Sequence, residues 1–108
     1  FHTSESSNDR IFEMAIENDA ALLKTTVTLL EMSSRLLNKL ALSSLDRGEP
    51  ILRVRALCES EALANVRQAR TVLQRIQSID DSGNPRKLLI PVLAGIIALG
   101  ERTLELCR

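Results

Sequence analysis

The chain has 108 residues, a formal net charge of +0, and 44% hydrophobic against 26% charged side chains, with 2% aromatic. That length holds one domain, and the apolar fraction is that of a globular chain rather than a disordered one. Balanced charge removes the basic footprint of a free-standing nucleic-acid-binding domain. The only aromatics are Phe1 and Phe12, which argues against a sandwich or barrel, since strands lean on aromatic and β-branched residues.

Residues 1–7 are polar and hydroxyl-rich and read as a tail; residues 8–108 read as a single helical domain. Two clusters of turn-forming residues punctuate it: Asp46-Arg47-Gly48-Glu49-Pro50 and Asp80-Asp81-Ser82-Gly83-Asn84-Pro85. In the first block, residues 8–45, Phe12, Ile16, Leu23, Val27 and Leu30 recur at steps of three, four or seven and predict one helix face. Asn8 or Asp9 can cap its start, with Glu13 and Glu17 suited to the positive end of the helix dipole. Thr25 to Thr28 is a weak brake, and Ser33-Ser34 is the expected break between two helices, one long helix being the alternative. Leu36, Leu37, Leu40, Ala41 and Leu45 resume the pattern.

The second block opens with Pro50, suited to a first helical position because its missing N–H is unneeded there. Ile51, Val54, Cys58, Ala62, Val66, Ala69, Leu73 and Ile76 continue the helical spacing, with Arg53, Glu59, Glu61, Arg67, Arg70 and Gln74 opposite. In the third block Asn84 can cap and Pro85 can occupy the first turn. Residues 88–99 are apolar on every side, which predicts burial on every side, inside a bundle or across an oligomer interface. The run is too short to span a bilayer, which takes about 20 residues. Pro91 either starts or kinks this helix, and Gly95 and Gly100 remove side chains where another helix could come close. Leu104 and Cys107 then lie apolar between Glu101, Arg102, Glu105 and Arg108. The predicted fold is all-α, an antiparallel bundle of three to four helices that dimerisation could complete.

Little in the chain points to catalysis. The single histidine, His2, lies in the tail, so a zinc site lacks donors and a Ser–His–Asp device lacks an oriented base. The glycines form no phosphate-binding loop. The pairs Glu59/Glu61 and Asp80/Asp81 read as solvated surface. A site like that of chorismate mutase would need convergent cations; Arg35, Lys39, Arg53, Arg67 and Arg70 read instead as outward charges with helical partners. Cys58 and Cys107, with no C-x-x-C pair, fit reduced thiols in an intracellular chain, a single Cys58–Cys107 bridge being the alternative. Cys58 sits in an apolar stripe and reads as core. Acids dominate up to Ser34 and bases from Arg35 to Arg75, which predicts that acidic and basic helices face each other; the alternative is that Arg67, Arg70 and Arg75 dock an acidic partner.

Two stretches resemble the C-terminal regulatory domain of fungal zinc-cluster transcription factors of the aflatoxin-regulator type. One is Ile16-Glu17-Asn18-Asp19-Ala20-Ala21-Leu22-Leu23, continuing to Thr28-Leu29-Leu30. The other is Ala69-Arg70-Thr71-Val72-Leu73-Gln74-Arg75-Ile76-Gln77-Ser78-Ile79. The chain departs from the family in having Glu31-Met32-Ser33 where cysteines follow the Leu-Leu pair, and in lacking its aromatic-rich helix and its six-cysteine cluster. The resemblance implies a regulatory module and a nuclear location, and it carries over no functional residue.

The expected function is therefore a non-enzymatic protein-interaction or dimerisation module with no cofactor and no metal. Its partner is expected to be a second copy of the chain, with neither nucleic acid nor membrane bound directly. The candidate interface is Leu89, Leu93, Ile96, Ile97, Arg67 and Arg70. The alternative is a sensor or carrier holding an apolar small molecule inside the helices, with Gly95, Gly100 and the alanines leaving room.

Overall fold

The computed structural model describes residues 18–45 and 50–107, and every regular element among them is helical. Helix α1 spans Asp19–Leu45 and α2 spans Pro50–Gln77; a single 3-10 turn, Pro85–Leu89, then runs into α3, Ile90–Cys107. The expected caps at Asn8 and Asp9 lie outside the described residues. Asn18 caps α1 instead: its Oδ1 accepts from the Ala21 N–H at 3.0 Å, and its carbonyl accepts from Leu22 N–H at 2.7 Å. The first bond satisfies a donor that a helix start leaves unpaired, and the second is the first bond of the helix itself.

Helix α1 passes through Ser33-Ser34 without a break, which corrects the expectation of two helices across that point. Ser33 is buried where a small side chain suits close packing, so tertiary contact outweighs its local preference for turns. Thr26 is tolerated for a related reason. Its hydroxyl donates to the Leu22 carbonyl at 2.9 Å, so the group is satisfied although buried. Helix α2 follows its predicted stripe: Cys58, Ala62, Val66, Ala69 and Ile76 are buried, together with Val72 and Asn65, and all six residues of the charged face are exposed. Asn84 accepts from Arg86 N–H at 2.9 Å and caps the 3-10 turn, as its sequence position suggested. Pro91 falls in the first turn of α3, so it starts that helix rather than kinking it.

The core has two parts. Leu22, Leu29, Ala69, Val72, Ile76, Leu93 and Ile96 form the larger one, backed by Leu73, Ile79, Leu89, Ile90 and Ile97. Leu36, Leu40, Cys58 and Ala62 form the smaller, with Val54, Leu104 and Cys107 against it. These memberships fix the directions. Residues 22 and 29 lie level with 93 and 96, and 36 and 40 with 104 and 107, so α1 and α3 run parallel and α2 runs against both.

Gly100 marks the closest approach of α2 to α3. A Cβ there would lie 2.2 Å from Val66 Cγ2 and 3.7 Å from the Ala62 carbonyl oxygen. The Arg70–Glu101 pair at 3.4 Å bridges the same two helices at the surface. Basic α2 thus pairs here with α3. Helix α1 is tied to the turn before α3 by Asp19 and Arg86, 2.5 Å apart.

Candidate interaction groove

On α1 the sequence pattern contains two apolar stripes side by side. Phe12 and Ile16 of the predicted face lie outside the described residues, and Leu23, Val27 and Leu30 do not face the core: Leu23 is 54% exposed and Val27 is 44% exposed. The core stripe is Leu22, Thr26, Leu29, Ser33, Leu36 and Leu40. It escapes a reading by hydrophobicity because Thr26 and Ser33 interrupt it. The outer stripe takes positions 23, 27, 30, 34, 37 and 41, alternating steps of four and three, the spacing that keeps a helix seam against a neighbour.

Helix α3 has the same arrangement. Leu93, Ile96, Gly100 and Thr103 are buried, whereas Val92 is 37% exposed and Leu88, in the 3-10 turn just before the helix, is 77% exposed. Gly95 is exposed and Leu99 half-buried; with Leu88, Val92, Arg102 and Leu106 they again alternate steps of four and three. Burial on every side, expected of residues 88–99, is therefore not met among the described residues. Helices α1 and α2 cover one sector of α3 and leave the opposite sector open.

The two outer stripes meet at one end, where Leu23 and Leu88 line a single cleft. Lys24, Thr25, Thr28 and Met32 flank α2 beside Gln68, and Arg35 and Lys39 flank it beside Glu61. On the helical period of α1 the stripe through Leu23 lies on the other side, toward α3. On α3, Glu101 reaches α2, and on the helical period of α3 the stripe through Val92, Gly95, Leu99 and Leu106 lies on another side. At the mouth of the groove Leu22, Leu23, Leu88 and Leu89 come together around an open cleft of about 590 Å³, with Asp19, Asn84, Pro85 and Arg86 on its rim. Of the twelve positions in the two stripes only Arg102 carries a charge, and it is paired with Glu105 at 3.1 Å.

The structure divides the predicted interface residues. Leu93 and Ile96 are fully buried between the three helices and present no surface. Leu89 and Ile97 are half-buried against the larger core. Arg67 and Arg70 are exposed on α2, outside the cleft lining, and Arg70 is engaged with Glu101 of α3. Leu88, Val92 and Leu99 belong to the apolar run 88–99 expected at an interface, whereas Leu23, Val27, Leu30 and Leu106 were not singled out as one. Their signal was the second run of four-and-three steps beside the first.

Neither glycine reading holds for both residues. Gly100 admits close packing, while nothing among the described residues lies within 4 Å of a Cβ placed on Gly95. Cys58 is buried and Cys107 half-buried, both unbridged, in the smaller core. Burial raises the Cys58 thiol above its ordinary value, with Lys39 opposing and Glu61 adding. Burial likewise raises Cys107, helped by Cys58 and Glu59 and opposed by Arg55. Thiols held protonated in this way are poor nucleophiles. Among the described residues no group of three or more His, Cys, Asp or Glu is placed to hold a metal ion, and no helix is long and apolar enough to cross a membrane. No protein-family model, curated protein or solved structure matches the chain.

Proposed function

We propose that this chain is a non-enzymatic protein-interaction module that associates with a second copy of itself through the groove between α1 and α3, completing a helical bundle that one chain leaves open. The observation that supports the reading is the pair of outer stripes, led by Leu88 and Leu23. Apolar residues scattered singly over a surface need no explanation, but a continuous apolar groove does. A helix laid along it would remove these side chains from water at about 25 cal/mol per Å² of apolar surface. Regulation of transcription, in the nucleus, is the most specific form of this reading and rests on the family resemblance alone.

Light scattering over a dilution series tests it. The chain should run as a dimer that dissociates on dilution. Leu88→Asp and Val92→Asp should each give a helical monomer, because the side chains are exposed in the single chain and the charges would be buried only in the pair. A wild-type monomer at all concentrations refutes self-association.

A second reading has one observation in its favour. The cleft at the groove mouth, about 590 Å³ and walled by four leucines, has the size of a small-molecule site. An apolar ligand retained in native mass spectrometry, and lost in Leu23→Asp, would favour a carrier over a dimer.

A further inference from the structure

The chain has two cysteines, Cys58 and Cys107, and the fold carries them from different helices into one place. Gly100 fixes the register of α3 against α2, because a Cβ on it would meet Val66 and the Ala62 carbonyl oxygen. The two helices run antiparallel, so two turns beyond Gly100 the chain comes level with residues 55–59 of α2. Cys107 stands at that position on α3, and Cys58 lies within that turn of α2. Packing gives the same placement independently. Cys58 belongs to the smaller core with Leu36, Leu40 and Ala62, and Cys107 packs against that cluster.

The two thiols differ in a way that suits a stepwise exchange. Cys58 is fully buried, whereas Cys107 is half-buried at the end of α3 and open to a small reagent. Arg55, one turn before Cys58, has its Nε buried without a hydrogen-bond partner among the described residues. Its charge favours the Cys107 thiolate, although burial outweighs it. Exchange is therefore slow, and the position of equilibrium is the sharper readout.

We propose that Cys58 and Cys107 form a reversible dithiol–disulfide pair, oxidised by a small-molecule disulfide such as that of glutathione, whose bridge ties α3 to α2 at the smaller core. The Cys107 thiol releases its proton to solvent and its sulfur attacks one sulfur of the oxidant. A mixed disulfide forms and one glutathione thiolate leaves. Cys58 then gives its proton to solvent and attacks the Cys107 sulfur; the protein bridge forms and the second glutathione thiolate leaves. Two protein thiols are oxidised, and one glutathione disulfide is reduced to two thiols. The bridge joins residues far apart in sequence, so it restrains the unfolded chain, and it does so at the end of the molecule that has the smaller core.

The full chain equilibrated in glutathione redox buffers, with and without urea, tests this by intact mass and thiol counting. The folded chain should lose two hydrogens and both free thiols without joining a second chain. It should stay bridged in a buffer about tenfold more reducing than the urea-unfolded chain tolerates, because the fold holds the sulfurs together. Cys58→Ala should stop at a glutathione adduct on Cys107, and Cys107→Ala, its remaining thiol buried, should form no adduct while folded. In the bridged chain, amide exchange at residues 54–62 and 104–107 should slow by on the order of tenfold or more. A bridge no more stable in the folded chain than in urea overturns the pair. So does a wild-type chain that halts at the Cys107 adduct, or one whose disulfides form only between chains.

Discussion

Single residues decide how closely these helices approach, and Gly100 is the clearest case. Val66 is β-branched and stiff about its first side-chain torsion, so it cannot swing away from a methyl group placed 2.2 Å from its Cγ2. Gly100→Ala should therefore destabilise the fold by about 1–3 kcal/mol, even though alanine is the better helix former. Urea denaturation measures this directly; an unchanged or raised midpoint would show that α2 and α3 do not meet there. The sequence suggested that both glycines allow close approach, but not which neighbour each would meet. Spacing identifies a gap in a helix surface, whereas the identity of the neighbour is set by crossing points that depend on side chains far along the chain.

At the scale of elements, the legibility of each helix followed from how many of its faces are apolar. Helix α2 was readable from its start at Pro50 to its buried stripe because its opposite face is charged. Helix α1 was readable as helical, but its core face was misassigned, since Leu23, Val27 and Leu30 form a more apolar line than the stripe through Thr26 and Ser33 that the fold buries. In α3, apolar all round, periodicity could not separate the core side from the open side. The structure makes that separation, and stability should follow it. Leu93→Ala, at a position with 0% exposure, should cost about 2–5 kcal/mol. Leu88→Ala, five residues earlier and exposed in the 3-10 turn that leads into α3, should stay within about 0.5 kcal/mol in the dissociated chain. Chemical denaturation at concentrations below the dimer range compares them; equal losses would mean that α3 is rotated from the orientation described.

The molecule as a whole has a strong end and a weak end. The larger core gathers leucines and isoleucines from all three helices at the α1 start, while the smaller is built on Leu36, Leu40, Cys58 and Ala62. Along α1 and α2, Ser33 and Asn65 fall between the residues of the two cores. Their Oγ and Nδ2 atoms are buried without hydrogen-bond partners, a cost of roughly 1–3 kcal/mol each. Both cysteines belong to the weak end, which gives the protein a definite response to alkali. Their thiols lie above the ordinary value of 9.0 in the folded chain and return to it on unfolding. Below pH 9.0 both states hold these protons, and the contribution of the buried thiols to stability is fully present. Above it the unfolded chain sheds protons that the folded chain keeps, so stability falls as pH rises through the raised folded values. With no tyrosine in the chain, the two cysteines are the side chains whose folded and unfolded values part in the alkaline range. Thermal melting between pH 8 and 10 should show a decline that Cys58→Ala with Cys107→Ala flattens. Hydrogen exchange should place the loss first in residues 36–40 and 54–62. A decline that persists without the cysteines, or begins at the larger core, would mean that alkali acts elsewhere in the fold.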